Sequence, residues 1–261
     1  MKVQVLASVM NQTMEQIAER MRLQSDAVII NQCHRLGFEE TDCHGGRVRF
    51  YSFPDRGIGR SRNEAILRSD GDILLFSDED IVYEPGYAQA IAQEFEQNTR
   101  ADMILFNISV KKERQTYCIT ERKRVRWYNC GRYGAVSFAV KRDSLLALGV
   151  TFSLLFGGGA RYSNGEDSLF LKEFMDKGGR VYTAPVTIGR EVREGESSWF
   201  AGYNEKFFYD RGVLYRYLYG RLASVMALRF LLAHRARLCA ELPLRKAYCL
   251  MKKGIRESKE R

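Results

Sequence analysis

Asp78, Glu79 and Asp80 follow directly on the apolar run Ile73-Leu74-Leu75-Phe76. Side chains alternate along a strand, so Asp78 and Asp80 share one side, close enough to hold one hard cation through carboxylate oxygens. A cation held there could bridge to a diphosphate and take up charge on a departing group. An isolated D-x-D also fits a solvated acidic turn. The strand before it and the glycine- and arginine-rich loop at residues 54–63 favour a site. Guanidinium forks match phosphate oxygens, which makes Arg56, Arg60, Arg62 and Arg211 candidates for diphosphate contacts, although each singly also fits an exposed surface arginine. Two other constellations carry little. Cys33-His34 and Cys43-His44 lack the spacing of a structural zinc set, and Gly57-x-Gly59 does not follow the first strand as a dinucleotide fingerprint must.

A cation site at a strand end needs a sheet to hold it. Residues 3–9, 27–30, 47–53, 72–76, 102–108 and 180–187 read as strands, and residues 13–21, 61–68 and 85–96 read as helices. This alternation predicts an α/β fold, with a mostly parallel central sheet flanked by helices and ligands bound at the carboxyl ends of the strands. Polar and glycine-rich residues gather at those ends: Asn31-Gln32-Cys33, the 54–63 loop and the acidic turn.

Gly59-Arg60-Ser61-Arg62-Asn63-Glu64-Ala65-Ile66, then Gly71-Asp72 opening a strand that ends in Asp78-Glu79-Asp80, and later Gly165-Glu166-Asp167-Ser168-Leu169-Phe170, occur in one order. Together they resemble the core of glycosyltransferase family 2 over roughly residues 1–212. The resemblance implies a GT-A (Rossmann-like) fold, a nucleotide-sugar donor, a divalent metal (Mn2+ or Mg2+) and inversion at the anomeric carbon. Residue by residue, it implies that Asp78 and Asp80 hold the metal, Asp80 directly, and that Asp167 is the general base with Glu166 beside it. The donor, expected to be a UDP-sugar, would lie against Ala7, Ser8, Val9, Asn31, Gln32, Arg56, Gly59, Arg62, Asn63, Asp78, Glu79 and Arg211, with Asp70 or Asp72 nearby. The acceptor would meet Gly158, Gly159 and Trp199. Glu166 and Asp167 also suit the acidic first turn of a helix, and Trp199 also suits a core position. Two departures stand out. Asn31-Gln32-Cys33 replaces the family's acidic run, although amides still hydrogen-bond a uracil edge or a ribose hydroxyl. None of His34, His44 and His234 stands where many GT-A enzymes place a metal-binding histidine, which leaves Asp80, the diphosphate and water.

The charge is unevenly distributed. Residues 1–212 carry 29 basic and 29 acidic residues, whereas residues 213–261 carry 12 basic and 3 acidic, which accounts for the net +9. A chain coated for nucleic acid along its length is thereby excluded, and no specific nucleic acid is expected. The division predicts a glycosyltransferase domain at 1–212, with a donor half at 1–108 and an acceptor half at 109–212, and a basic amphipathic helical tail at 213–261. In the tail, Leu244, Ala247, Tyr248, Met251 and Ile255 share one helix face flanked by Arg245, Lys246, Lys252, Lys253 and Arg256. That composition suits peripheral contact with an anionic membrane; it also suits a helix packed on the body or on a second subunit. Arginines at 216, 221 and 229 argue against a transmembrane span. Six cysteines without a C-x-x-C pair, and no secretory signal at the start of the sequence, point to a cytoplasmic protein at the inner face of the membrane, acting on a glycan or polyprenyl-linked glycan. Two rival classes remain from sequence: a sugar-nucleotide nucleotidyltransferase and a non-enzymatic basic binding module.

Overall fold

Val3–Met10 (β1) is buried along nearly its whole length and takes an interior position in the sheet, between β2 (Asp26–Gln32) and β5 (Ile73–Asp78), in the computed structural model. The structure describes residues 1–43, 45–111, 115, 117–192, 202–238 and 242–258. After β1 the chain forms α1 (Met14–Met21), β2 (Asp26–Gln32), β3 (Gly37–Cys43), β4 (Gly46–Phe53) and α2 (Ile58–Leu67). It continues through β5 (Ile73–Asp78), β6 (Ile81–Tyr83), α3 (Tyr87–Gln97), β7 (Met103–Ser109), β8 (Phe138–Lys141) and α4 (Arg142–Leu148). It ends with α5 (Glu166–Asp176), β9 (Val181–Glu191), α6 (Glu205–Tyr219), α7 (Ala223–Ala233), α8 (Arg235–Leu238) and α9 (Leu244–Glu257).

The nine strands lie in the order β3-β4-β2-β1-β5-β8-β7-β9-β6. β1 pairs in parallel with β2 on one side and β5 on the other, and β2 pairs in parallel with β4. The chain steps outward from β1 through β2 to β4, and α2 then returns it across β1 to β5. Connections that leave in opposite directions from one strand open a crevice at the carboxyl ends. Beyond β5 the sheet is mixed. β8 runs antiparallel to both β5 and β7, β3 to β4 and β6 to β9, while β7 and β9 are parallel. The parallel character expected from sequence thus belongs to the β4-β2-β1-β5 half. β3, β6 and β8 are not legible as strands in the sequence because they are polar or very short.

Helices cover both faces. α1 and α3 pack on one side through Ile17, Met21, Ile91 and Phe95. α2, α4 and α5 pack on the other through Ala65, Leu145, Phe170 and Phe174. The one buried polar residue at the start of β1, Gln4, is satisfied: its amide donates to Asp70 and accepts from the Asp70 and Gly71 backbone N–H groups.

A third core belongs to α6, α7 and α9. The boundary expected at 212/213 falls inside α6. The apolar face of α9, expected to be open to a membrane, is instead covered: Ala247, Met251 and Ile255 are buried against α6 and α7. Of the readings the sequence allowed for that stripe, packing on the body is the one realised. The two helices cross at glycines, where a Cβ on Gly212 would collide with the Met251 carbonyl and one on Gly254 with the Tyr209 carbonyl. Among the described residues no helix is long and apolar enough to cross a membrane.

The crossing makes a direct test available. Gly254→Val forces α9 off α6, and overpacking of this kind costs about 1–3 kcal/mol. Denaturant unfolding of the variant should show that loss; unchanged stability would mean that α9 is not seated on α6.

Candidate active site

The crevice at the carboxyl end of β1 is a cleft of about 990 Å³. Ser8, Val9 and Met10 from the end of β1, Gln32 from β2 and Asp78-Glu79-Asp80 from β5 form one side. Glu166 and Asp167 at the start of α5, with Gly131–Gly134 and Gly158, form the other.

Beneath the cleft lies Arg62, with its side chain only 3% exposed. Three local devices bring it there. Gly57, at φ 127°, turns the chain into α2 and donates its N–H to Gln32 Oε1 at 2.7 Å. Gly59 has no Cβ to strike the Ser153 carbonyl, so α2 can approach that segment closely. Asn63 then clasps Phe152 through both of its backbone groups, at 2.9 and 2.8 Å. From this position Arg62 Nη1 donates to Asp167 Oδ1 at 2.6 Å and Glu166 Oε1 at 3.2 Å, and Nη2 donates to Asp78 Oδ1 at 3.1 Å. The Phe152 ring lies 5.1 Å from the guanidinium carbon. Burial alone would lower the arginine's pKa, but Asp167, Asp78 and Glu166 hold it above its ordinary value.

The two adjacent carboxylates are driven apart. Burial, and then the neighbouring Asp167, push Glu166 up to about 8 against the pull of Arg62. At neutral pH Glu166 therefore keeps its proton, while Asp167 carries the short ion pair to Arg62 and keeps an exposed edge in the cleft. Gly134 leaves room beside it, since a Cβ there would sit 3.6 Å from Asp167 Oδ2.

The other expected residues do not all reach the cleft. Ser8, Val9, Gln32, Asp78, Glu79, Asp80, Gly158 and Arg211 line the cleft. Glu79, however, turns back to accept the Met10 N–H at 2.9 Å, which fixes the end of β1. Asn31 and Asn63 are occupied by backbone: Asn31 bonds Gln12 N–H and C=O and the Ser52 hydroxyl. Ala7 is wholly buried core beneath the cleft. Arg56, Gly59 and Gly159 border a separate, smaller hollow with Ser153 and Phe156. Asp70 is held at the far end of the sheet by Gln4, Arg49 and Arg47, with its pKa lowered: burial opposes ionisation, but the Gln4 hydrogen bond and then the two arginines and Lys2 outweigh it. Trp199 lies outside the described residues.

α6 supplies a further wall, which carries Arg211, named from the sequence, and Asp210 beside it. Asp210, 2% exposed, accepts from the Ser163 N–H and hydroxyl, both at 3.0 Å, and pairs with Lys206. It thereby fixes the turn that leads into Glu166. Next to it, Arg211 lines the cleft between the Phe207 and Phe230 rings, at 5.2 and 5.3 Å. Its Nε has no hydrogen-bond partner among the described residues. The Gly131-x-x-Gly134 spacing was the one sequence signal available for the opposite rim.

Asp78 and Asp80 offer oxygen donors in an open arrangement, and among the described residues no group of three His, Cys, Asp or Glu closes into a metal cage. A hard cation that retains water and binds through one or two carboxylates plus substrate phosphate fits such a set.

Residues 7–145, more than half of the chain, match the family model for glycosyl transferase family 2. The chain belongs to that family and is a glycosyltransferase, which decides against the two rival classes. No curated protein sequence matches it. Among solved structures, S. aureus TarS 1–349 in complex with UDP-GlcNAc aligns with a TM-score of 0.65 at 15% identity, over 100% of this chain and 91% of that one. The same fragment in complex with UDP gives 0.62 at 15% identity, over 90% and 72%. S. aureus TarS gives 0.63 at 14% identity, over 94% and 46%. The likeness shows a shared fold, the GT-A arrangement.

Two measurements probe the buried cluster. Arg62→Met leaves three buried or half-buried carboxyl groups without their cation and should cost about 3–5 kcal/mol in denaturant unfolding. The second concerns Glu166, whose folded pKa of about 8 exceeds the ordinary 4.5. Between those values the folded state holds a proton that the unfolded chain has released, so stability falls as pH rises. Glu166→Gln should remove that fall, and parallel pH–stability curves for the two proteins would refute the assignment.

Proposed function

We propose that the chain is a metal-dependent, inverting glycosyltransferase that moves a sugar from a nucleoside-diphosphate sugar, a UDP-sugar, to a hydroxyl of a glycan or polyprenyl-linked glycan. The observation that carries this reading is the placement of Asp167 in the cleft, across Arg62 from Asp78 and next to a Glu166 that holds its proton. Two solved structures with the same fold contain UDP-GlcNAc or UDP.

Inverting displacement needs a base on the acceptor side and positive charge on the leaving-group side. Asp167 takes the acceptor proton, and Arg62 fixes the carboxylate by a hydrogen bond to Oδ1, leaving Oδ2 toward Gly134. Glu166, neutral, adds no second negative charge beside the attacking oxygen. Asp78 and Asp80 hold the Mn2+ or Mg2+, which when bound supplies charge neutralisation to the diphosphate. Arg211 offers a second cation to phosphate oxygens from the α6 wall. Ser8, Val9 and Gln32 border the nucleotide, and Gly134 and Gly158 let an acceptor sugar approach the backbone. Residues 1–108 on this reading are the donor half and residues 109–212 the acceptor half. The basic C-terminal segment supports peripheral contact with the inner face of the cytoplasmic membrane.

The test is a nucleotide-sugar panel with Mn2+ or Mg2+, scored for donor turnover. Asp167→Asn and Asp80→Asn should each lose about 10²–10⁴-fold in turnover while circular dichroism stays unchanged. A folded Asp167→Asn protein with near-normal turnover would overturn the base assignment.

A further inference from the structure

α7 is apolar on both sides. Ala223, Ala227 and Leu231 are buried in the C-terminal core. On the opposite side Leu222, Val225, Leu228 and Leu232 are exposed, Val225 by 65% and Leu232 by 56%. The spacing places these four in one stripe along the helix. Arg221 and Arg229 lie within the stripe, and Arg235 and Arg237 follow it. From Arg211 to Ala240 the chain contains six arginines and no acidic residue. Trp127 and Tyr128 are half exposed beside the other end of this surface, and the Trp127 ring lies 6.4 Å from that of Tyr219.

We infer that the exposed face of α7, with Trp127 and Tyr128, docks on an anionic lipid bilayer. Charge complementarity selects this occupant. An apolar stripe set among arginines matches a surface that offers anionic headgroups above hydrocarbon, and aromatic rings suit the boundary between the two. A second copy of this chain, joined face to face, would oppose the same arginines to one another. The surface also adjoins the cleft. Phe230 of α7 packs on Arg211, which lines it, and a Cβ on Gly131 of the cleft rim would meet the Tyr219 hydroxyl at 3.5 Å. A polyprenyl-linked acceptor would then stand in the membrane at the open side of the site, a consequence that rests on the acceptor proposed above.

The experiment is vesicle sedimentation of the full chain without any sugar donor, so that its outcome is independent of the transferase reading. Vesicles of phosphatidylglycerol and phosphatidylcholine are compared with phosphatidylcholine alone. The wild type should bind only the anionic vesicles, and rising salt should release it. Val225→Glu with Leu232→Glu should weaken binding by at least about tenfold and leave turnover of soluble donor unchanged, since neither residue borders the cleft. Arg221→Ala with Arg229→Ala, which alters no apolar contact, should weaken binding in the same direction. Equal binding by both variants, or no preference for anionic vesicles, would overturn the inference. So would a dimer that the glutamate substitutions dissociate while vesicle binding persists, because the face would then belong to a second copy.

Discussion

A guanidinium taken out of water has to be met by opposite charge, and every group that meets it loses its freedom to be elsewhere. In this protein that requirement falls on Arg62. Its partners come from two distant parts of the chain: Asp78 closes β5, and Glu166 and Asp167 open α5. One buried fork therefore sets the distance between the carboxylate at the donor side and the carboxylates at the acceptor side. A lysine could not do the same, because a single ammonium lacks the planar set of donors that reaches two directions at once. The cluster also explains how neighbouring carboxyls take different roles. Burial and crowding favour the protonated form of Glu166, and the arginine's short hydrogen bond fixes the Asp167 carboxyl in place.

Several residues that sequence motifs assign to a ligand turn out to serve this cation. Asn63 follows Arg62 directly and looks like a donor contact, but both ends of its amide are bonded to the Phe152 backbone. Gly59 looks like a phosphate-loop glycine, yet its missing Cβ is needed against Ser153. Motif order carries the information that these residues belong to one site. It does not separate those that touch substrate from those that hold the holders, because both are bound to fixed geometry.

What was legible follows the same physical logic. Carboxylates at the end of an apolar strand announce themselves, as Asp78 does at the last residue of β5, because strand position fixes their direction; Asp80 lies in the turn that follows. The central strands were readable from their own apolar content. β8, with four residues, and β6, with three, exist only because a neighbouring strand supplies hydrogen-bond partners. The stripe on α9 was readable as an apolar face, but a stripe reports that something covers it and not what does. Here the cover is α6, and the close glycine crossing that permits it pairs residues 42 positions apart, Gly212 and Gly254, each against the other helix's backbone.

That crossing changes the meaning of the positive charge. Once α9 is folded onto α6, the C-terminal segment is no loose appendage: Asp210 fixes the turn before Glu166, and Arg211 reaches the cleft. The covered helix hides its apolar side and leaves α7 as the element with an exposed one. An outward row of leucine and valine is unfavourable in water, and so is a run of arginines without acids, through mutual repulsion. Arg221 and Arg229 lie within that row. A purely polar anionic partner would relieve only the second, and an uncharged apolar one only the first. A surface that is anionic outside and apolar just beneath relieves both at once.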